Sequence, residues 1–332
     1  MIEANNIVEA IKKADKIVIT SHRSPDGDSI GSSLGLARFI QALGKKVDTC
    51  HPDPCPEFIQ WTIKNDTIID FESSEDLVTQ KLNDADLIFS LDYNAAHRLG
   101  NDMGDVLKAT SAKKIMIDHH LDPDDYADIT VSEPNVCSTA QLIYELIDAS
   151  GNSGLLNPEM AEPIYLGIMT DTGSFRYNSV TPRTHDILSL LLKSGLDHTN
   201  VHESTYDGNR IDKLKLRGYA IAEKLEIIEE YGVAILSLTE EELARFNYIK
   251  GDTEGLVNIA LSVEGVQTAV FFNESKGRIK ISFRSKGAPV NVLANENFDG
   301  GGHKFAAGGI SDLSMNDTLE KFKSLIPKYF GE

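Results

Sequence analysis

The 332-residue chain has little cysteine, a single tryptophan, few basic side chains for its acidic ones, and no long apolar run. Its three cysteines, Cys50, Cys55 and Cys137, are an odd number without Cys-x-x-Cys spacing, which excludes a disulfide framework and a structural zinc site. Cys50-His51-x-x-x-Cys55 has the outline of half a metal site, but three prolines within residues 51–57 mark a plain loop. No apolar stretch approaches the roughly 20 residues of a membrane helix. Met1 to Asn6 lacks the basic and apolar regions of a signal peptide, so the cytoplasm is the expected compartment and no membrane partner is expected. Lys and Arg number 32 against 51 Asp and Glu, a formal net charge of −19. That sign opposes tracking long duplex nucleic acid by counterion release. A polyanionic substrate is then admissible only where something local cancels the acidic field, and divalent cations would do so.

What is present is an alternation of short apolar runs and amphipathic segments. Lys16–Thr20, Lys46–Thr49, Asp86–Leu91 and Lys114–Ile117 read as strands, with shorter ones at Ile68-Ile69 and Ile129–Val131. Helices are expected over 3–14, Ile30–Leu43, about 74–81, Asn101–Lys108, Ser138 to about Ala149, and Thr184–Lys193. Another starts at Asn157-Pro158, with Pro163 expected to kink it or mark its real start. This order predicts a parallel, Rossmann-like α/β domain over residues 1–193. A polar linker is expected over 194–212. A smaller α+β domain follows over 213–332, facing the first across a cleft. It opens with a long helix, Lys213–Glu230, then strands at Val233–Leu238, Thr268–Phe272 and Arg278–Phe283. The last two are joined by a five-residue hairpin loop, Asn273–Gly277.

Strand ends carry the chemistry. His22-Arg23-Ser24-Pro25-Asp26-Gly27-Asp28-Ser29 follows the first strand, and Gly27 is read as relieving crowding between two aspartates. Asp92 ends the strand at 86–91, and Asp118-His119-His120 ends the one at 114–117. Open α/β sheets bind ligands at the C-terminal ends of their strands. Asp171, in Thr170-Asp171-Thr172-Gly173, is the candidate that closes the set. Two histidines and four aspartates suit two divalent cations about 4 Å apart, the arrangement of phosphoryl chemistry. Mixed imidazole and carboxylate ligands favour Mn2+ over Mg2+, with Co2+ a further alternative. In the second half, Asp299-Gly300-Gly301-Gly302-His303 and the basic series Lys276, Arg278, Lys280, Arg284, Lys286 stand out, and strand alternation puts the five cations on one face.

The order His-x-x-x-Asp-x-Asp, Asp, Asp-His-His, Asp-Thr-Gly, Gly-Gly-Gly-His resembles the DHH phosphoesterase family with its DHH-associated C-terminal domain, over nearly the whole chain. Length and the lack of extra domains resemble its nanoRNase/phosphoadenosine-phosphate phosphatase branch. RecJ-type exonucleases are longer, and family II pyrophosphatases lack the Gly-Gly-Gly-His motif. The resemblance implies that His22 and Asp26 hold one Mn2+, that Asp28, His119 and Asp171 hold the other, and that Asp92 bridges them. It implies that His120 faces the scissile phosphate, that Asp118 orients the neighbouring histidines, and that Arg284, Ser285, Gly300 to Gly302 and His303 grip the substrate. Asp299 departs from the pattern, since many relatives have a fourth glycine there. A hydroxide bridging the metals is then expected to attack phosphorus in short oligoribonucleotides or 3′-phosphoadenosine 5′-phosphate. A phosphodiesterase for linear or cyclic dinucleotides is the rival enzyme, and a non-catalytic nucleotide-binding sensor the rival without chemistry. Crossover domains of this kind often pair, which leaves a homodimer open.

Overall fold

The structure, a computed structural model, describes residues 3–331 apart from the side chain of His303. It divides after Gly208 into two compact units.

In the first unit the strands β1 (Ile17–Ser21), β2 (Val47–His51), β3 (Ile68–Asp70), β4 (Leu87–Leu91), β5 (Lys113–Asp118) and β6 (Ile129–Ser132) form one parallel sheet, ordered β3-β2-β1-β4-β5-β6. The central β1 and β4 are buried along their whole length, as strands covered on both faces must be. Alternation then sorts their side chains. Ile17, Ile19, Leu87, Phe89 and Leu91 join a core with α1 (Ala4–Lys13), α2 (Gly27–Ala42), α5 (Thr139–Ala149), α6 (Pro158–Asp171) and α7 (Pro182–Lys193). Val18 and Ile88 face the other way, against α3 (Phe71–Asp84) and α4 (Asn101–Ala109). The span predicted as a bare linker contains one more helix, α8 (His198–Tyr206), which Asp197 caps by accepting Asn200 N–H.

Pro163 neither kinks α6 nor starts it. Asn157 caps the helix at Met160 N–H, and Pro158 occupies its first position. The cost of an internal proline is an unpaired carbonyl four residues back. Here that carbonyl, Glu159 O, accepts from the Arg38 guanidinium of α2. α2 and α6 also meet at glycines. A Cβ at Gly31 would lie 2.4 Å from Pro163 O, and one at Gly167 would lie 2.5 Å from Ala140 Cβ and 2.8 Å from Asp28 Oδ1. Gly167→Ala is therefore expected to destabilise the chain by about 1–3 kcal/mol through overpacking. An unchanged urea midpoint would contradict this.

The second unit holds α9 (Ile211–Glu223), β7 (Glu226–Ile228), β8 (Val233–Leu238), α10 (Glu240–Ala244), α11 (Leu256–Leu261), β9 (Thr268–Ser275), β10 (Arg278–Ser285), α12 (Val290–Asn297), β11 (Gly301–His303), β12 (Ala306–Ser311) and α13 (Met315–Phe330). The sheet order is β11-β12-β10-β9-β8-β7, antiparallel except between β8 and β9. The long helix expected to reach Glu230 ends at Glu223. Beyond it the apolar residues switch to a period of two: Ile227 packs on one face of the sheet and Ile228 on the other. The hairpin loop is also shorter than predicted. Ser275 pairs with Arg278, leaving Lys276-Gly277, both left-handed (φ +55° and +72°), as a two-residue turn that matches strand twist.

Candidate metal centre

Strand order reverses between β1 and β4, and a crevice opens beyond the C-terminal ends of strands at such a reversal. His22 follows β1, Asp92 follows β4, and β5 ends at Asp118 with His119 and His120 next in the chain. Asp26 caps α2, with Oδ1 accepting the N–H groups of Asp28 and Ser29, so Oδ2 remains for other work. Asp171 is the last residue of α6.

These residues converge. His22 Nε2 lies 3.3 Å from Asp92 Oδ2 and 3.7 Å from Asp26 Oδ2. His119 Nε2 lies 3.6 Å from Asp92 Oδ1, 3.6 Å from Asp171 Oδ2 and 3.8 Å from Asp28 Oδ2. The two oxygens of one buried carboxylate, Asp92, thus face two different ligand groups. Both imidazoles are turned the same way, His22 Nδ1 towards Arg23 O at 2.7 Å and His119 Nδ1 towards Val136 O at 3.2 Å. A carbonyl can only accept, which puts the proton on Nδ1 and leaves the Nε2 lone pair for an ion. Three sets have ligand atoms close enough to hold a metal: His22/Asp26/Asp92, Asp28/His119/Asp171 and Asp92/His119/His120. Among the described residues, no such set includes Cys50, His51 or Cys55. His51 instead lies buried against Ser33 Oγ, and burial drives its pKa down to about 3.

Without a cation the cluster is electrostatically costly. Burial pushes Asp171 up to about 7, and the charges of Asp92 and Asp26 outlast the relief from His119. Burial likewise raises Asp28, with Asp92, Asp171 and Asp26 adding to it. Burial also works against a charge on His22, yet its hydrogen bond to Asp92 and the charge of Asp26 hold its pKa up at about 9. For Asp92 burial is likewise outweighed, and His22, His119 and His120 hold it down at about 2. A donor set of this composition fits divalent ions.

The chain belongs to the DHH family. The model of the DHH family N-terminal domain matches residues 16–168, and that of the DHHA1 domain matches residues 230–332. The probable bifunctional oligoribonuclease and PAP phosphatase NrnA of Streptococcus mutans is 30% identical over 96% of this chain and 98% of its own. The bifunctional oligoribonuclease and PAP phosphatase NrnA of Bacillus subtilis is 27% identical over 91% of each. The crystal structure of an exopolyphosphatase-related protein from Bacteroides fragilis superposes with a TM-score of 0.95 at 40% identity, covering 98% of this chain and 96% of that one. As a DHH protein the chain is a metal-dependent hydrolase of phosphoester bonds.

The role expected of Asp118 divides in two. It serves His120, accepting Nδ1 at 2.7 Å and the backbone N–H at 2.9 Å, whereas the Val136 carbonyl orients His119. Three contributors escaped the sequence. Thr139 Oγ1 donates to Asp92 Oδ1 at 3.0 Å. The first N–H groups of α5, from Thr139 and Ala140, hold both oxygens of Asp28 at 2.7 and 2.8 Å, where the helix dipole favours an anion. Burial works against a charge on His120, and Arg98, whose carbonyl accepts Arg23 N–H at 2.9 Å, adds to that, but Asp118 and Asp92 outweigh both and raise its pKa. The sequence places a helix start at Ser138, but nothing in the spacing ties it to Asp28.

In the second unit only three of the five basic residues share the strand face. Arg278, Lys280 and Arg284 alternate with the buried Ile279, Ile281 and Phe283, while Lys276 sits in the turn and Lys286 Nζ donates to Val266 O. Ser285 Oγ is occupied, accepting the N–H groups of Gly287 and Ala288 and the hydroxyl of Thr268. Sheet packing requires two of the three glycines: a Cβ would lie 2.2 Å from Gly308 O at position 300 and 2.7 Å from Ala306 O at position 302. Gly301 faces open space. Asp299 is left-handed (φ +39°), a conformation open to Asp and to glycine, and its charge acts on Arg278. The side chain of His303 lies outside the described residues.

Among the described residues no helix is long and apolar enough to cross a membrane.

Proposed function

We propose that the chain is a Mn2+-dependent phosphoesterase that hydrolyses short oligoribonucleotides, 3′-phosphoadenosine 5′-phosphate, or both. The observation that carries this reading is the sharing of Asp92, Oδ2 towards His22 and Oδ1 towards His119, between two ligand sets. His22 and Asp26 would hold one ion and Asp28, His119 and Asp171 the other, with Asp92 contributing an oxygen to each. Divalent ions held there would lower the pKa of water and offset charge gathering on the phosphoryl oxygens. Two imidazole ligands favour Mn2+ over the oxygen-seeking Mg2+. The similarity to two NrnA proteins over 91% and 98% of their length supports the substrate class.

The remaining steps belong to side chains. Thr139 and the N-terminus of α5 fix the carboxylates of Asp92 and Asp28, so neither must reorient as charge develops. Asp118 accepts the Nδ1 proton of His120 and raises its pKa, which favours a cationic imidazole beside the phosphoryl group. From Nε2 that imidazole donates to a phosphoryl oxygen or to the leaving oxygen. Arg284, the backbone at Gly301 and His303 are the candidates to grip a second phosphate.

The test is a product time course in Mn2+. It compares end-labelled RNAs of two to about twenty nucleotides with 3′-phosphoadenosine 5′-phosphate and a cyclic dinucleotide. Fastest turnover of the shortest RNAs or of the phosphoadenosine substrate supports the reading. Preference for the cyclic dinucleotide would transfer it to the rival phosphodiesterase, and binding without turnover to a sensor.

A further inference from the structure

The turn after Asp171 is built in an unusual way. Thr172 locks it: its Oγ1 donates to Ile168 O at 2.6 Å and accepts Phe175 N–H at 3.0 Å, and its carbonyl takes the N–H groups of Arg176 and Tyr177. Three successive residues, Gly173, Ser174 and Phe175, are left-handed, with φ of +57°, +60° and +66°. Two of them are not glycine and adopt this conformation only because their surroundings impose it. The result sends one aromatic inward and one outward. Phe175 packs edge-on against Tyr165, with centroids 5.6 Å apart. Tyr177 stays 47% exposed and lies on Gly173, where a Cβ would stand 2.6 Å from the ring's Cζ. Any side chain at 173 would displace the ring, so the glycine seats it. A second half-exposed tyrosine, Tyr206 of α8, borders the same step, with its hydroxyl 3.4 Å from Ser174 Oγ.

Resting on the phosphoesterase reading above, we propose that Tyr177 is the stacking platform for the nucleobase next to the scissile phosphate. Gly173 is only two Cα steps from Asp171, at most about 7.6 Å, so the ring stands within a nucleotide's reach of the ligand cluster. An aromatic face stacks any base without reading its edge, and base–aromatic stacking contributes substantially to single-strand binding. The consequence is selection for nucleotides over phosphoesters without a base, with little preference among bases.

The experiment uses the full chain with Mn2+ and two variants, Tyr177→Ala and Tyr177→Phe. Each is assayed on a 5′-phosphorylated diadenylate and on the same dinucleotide with one base removed. Tyr177→Ala is expected to raise KM for the diadenylate about 10-fold or more. It should leave kcat within about twofold and the abasic substrate unaffected, while Tyr177→Phe behaves as the parent. Equal losses on both substrates, or no loss on either, would overturn the proposal. A second arm separates this from failure of the phosphoesterase reading itself. Adenosine monophosphate and ribose 5-phosphate are titrated into the Mn2+-loaded protein by calorimetry. The mononucleotide is expected to bind about 10-fold tighter, and Tyr177→Ala to remove that advantage even if no dinucleotide is cleaved. Equal binding of the two by the parent protein would also overturn the proposal.

Discussion

Asp92→Asn is expected to lower turnover of a dinucleotide by at least about 1,000-fold while the protein stays folded. The backbone at this position is left-handed (φ +62°), a conformation that Asn adopts as readily as Asp, so the substitution leaves the β4 end undisturbed. What it removes is charge. The carboxylate puts one oxygen 3.3 Å from His22 Nε2 and the other 3.6 Å from His119 Nε2, and an amide offers only one neutral acceptor in their place. Asp92 belongs to two of the three candidate sets, one with His22 and one with His119, whereas Asp26 and Asp171 each belong to one. The Mn2+ content of the dialysed variant should fall with its activity. Turnover within about tenfold of the parent, at saturating Mn2+, would contradict the shared-ligand assignment.

The residues proposed as metal ligands are legible in the sequence because each sits at a place that topology makes predictable. His22, Asp92 and His119 follow three apolar runs that read as buried strands, and parallel strands side by side bring such ends together. What orients them was not readable, because it comes from backbone groups and from residues distant in the chain. Val136 O on His119, and the N–H groups of Thr139 and Ala140 on Asp28, have no side-chain signature. The reason for Gly27 was also misread. Its neighbours are not crowded aspartates but α6: a Cβ there would stand 2.2 Å from Thr170 Oγ1. Period-two apolar residues can hide at the end of a helical pattern, so in the sequence β7 reads as the last turns of α9. α8 escaped for the opposite reason. Its sequence, His-Thr-Asn-Val-His-Glu-Ser-Thr-Tyr, has few apolar residues to show a period, and it buries only Val201 and Thr205.

Raising the pH from about 5.5 to 8.5 is expected to lower the Tm of the metal-free protein and to enlarge the Tm gain from Mn2+. Within this window two groups with resolved values hold protons more tightly folded than unfolded, and they outweigh His51, which burial lowers from 6.5 to about 3 and which opposes them only below about pH 6.5. Asp171 rises from 3.8 to about 7 and His22 from 6.5 to about 9, and Asp28 shifts in the same direction as Asp171. A raised folded pKa gives stability that is complete below the unfolded value and lost as pH climbs through the folded one. Asp171 therefore loses its contribution between about pH 4 and 7, and His22 between about 6.5 and 9. Asp92 has the opposite sign. Held at about 2, it adds stability that is already complete above pH 4 and constant across the window. Divalent ions take the place of the departing protons, so their affinity increases with pH. An ion at 100 times its Kd adds about 2.7 kcal/mol, which for a unit of about 200 residues is roughly 5–10 °C. Melting curves with chelator and with millimolar Mn2+ at the two pH values measure both effects. The Mn2+ gain should approach that range at pH 8.5 and shrink at pH 5.5. A gain of equal size at both pH values would show that His22 and Asp171 do not exchange protons for metal, and with them the assignment of one ligand to each ion would fall.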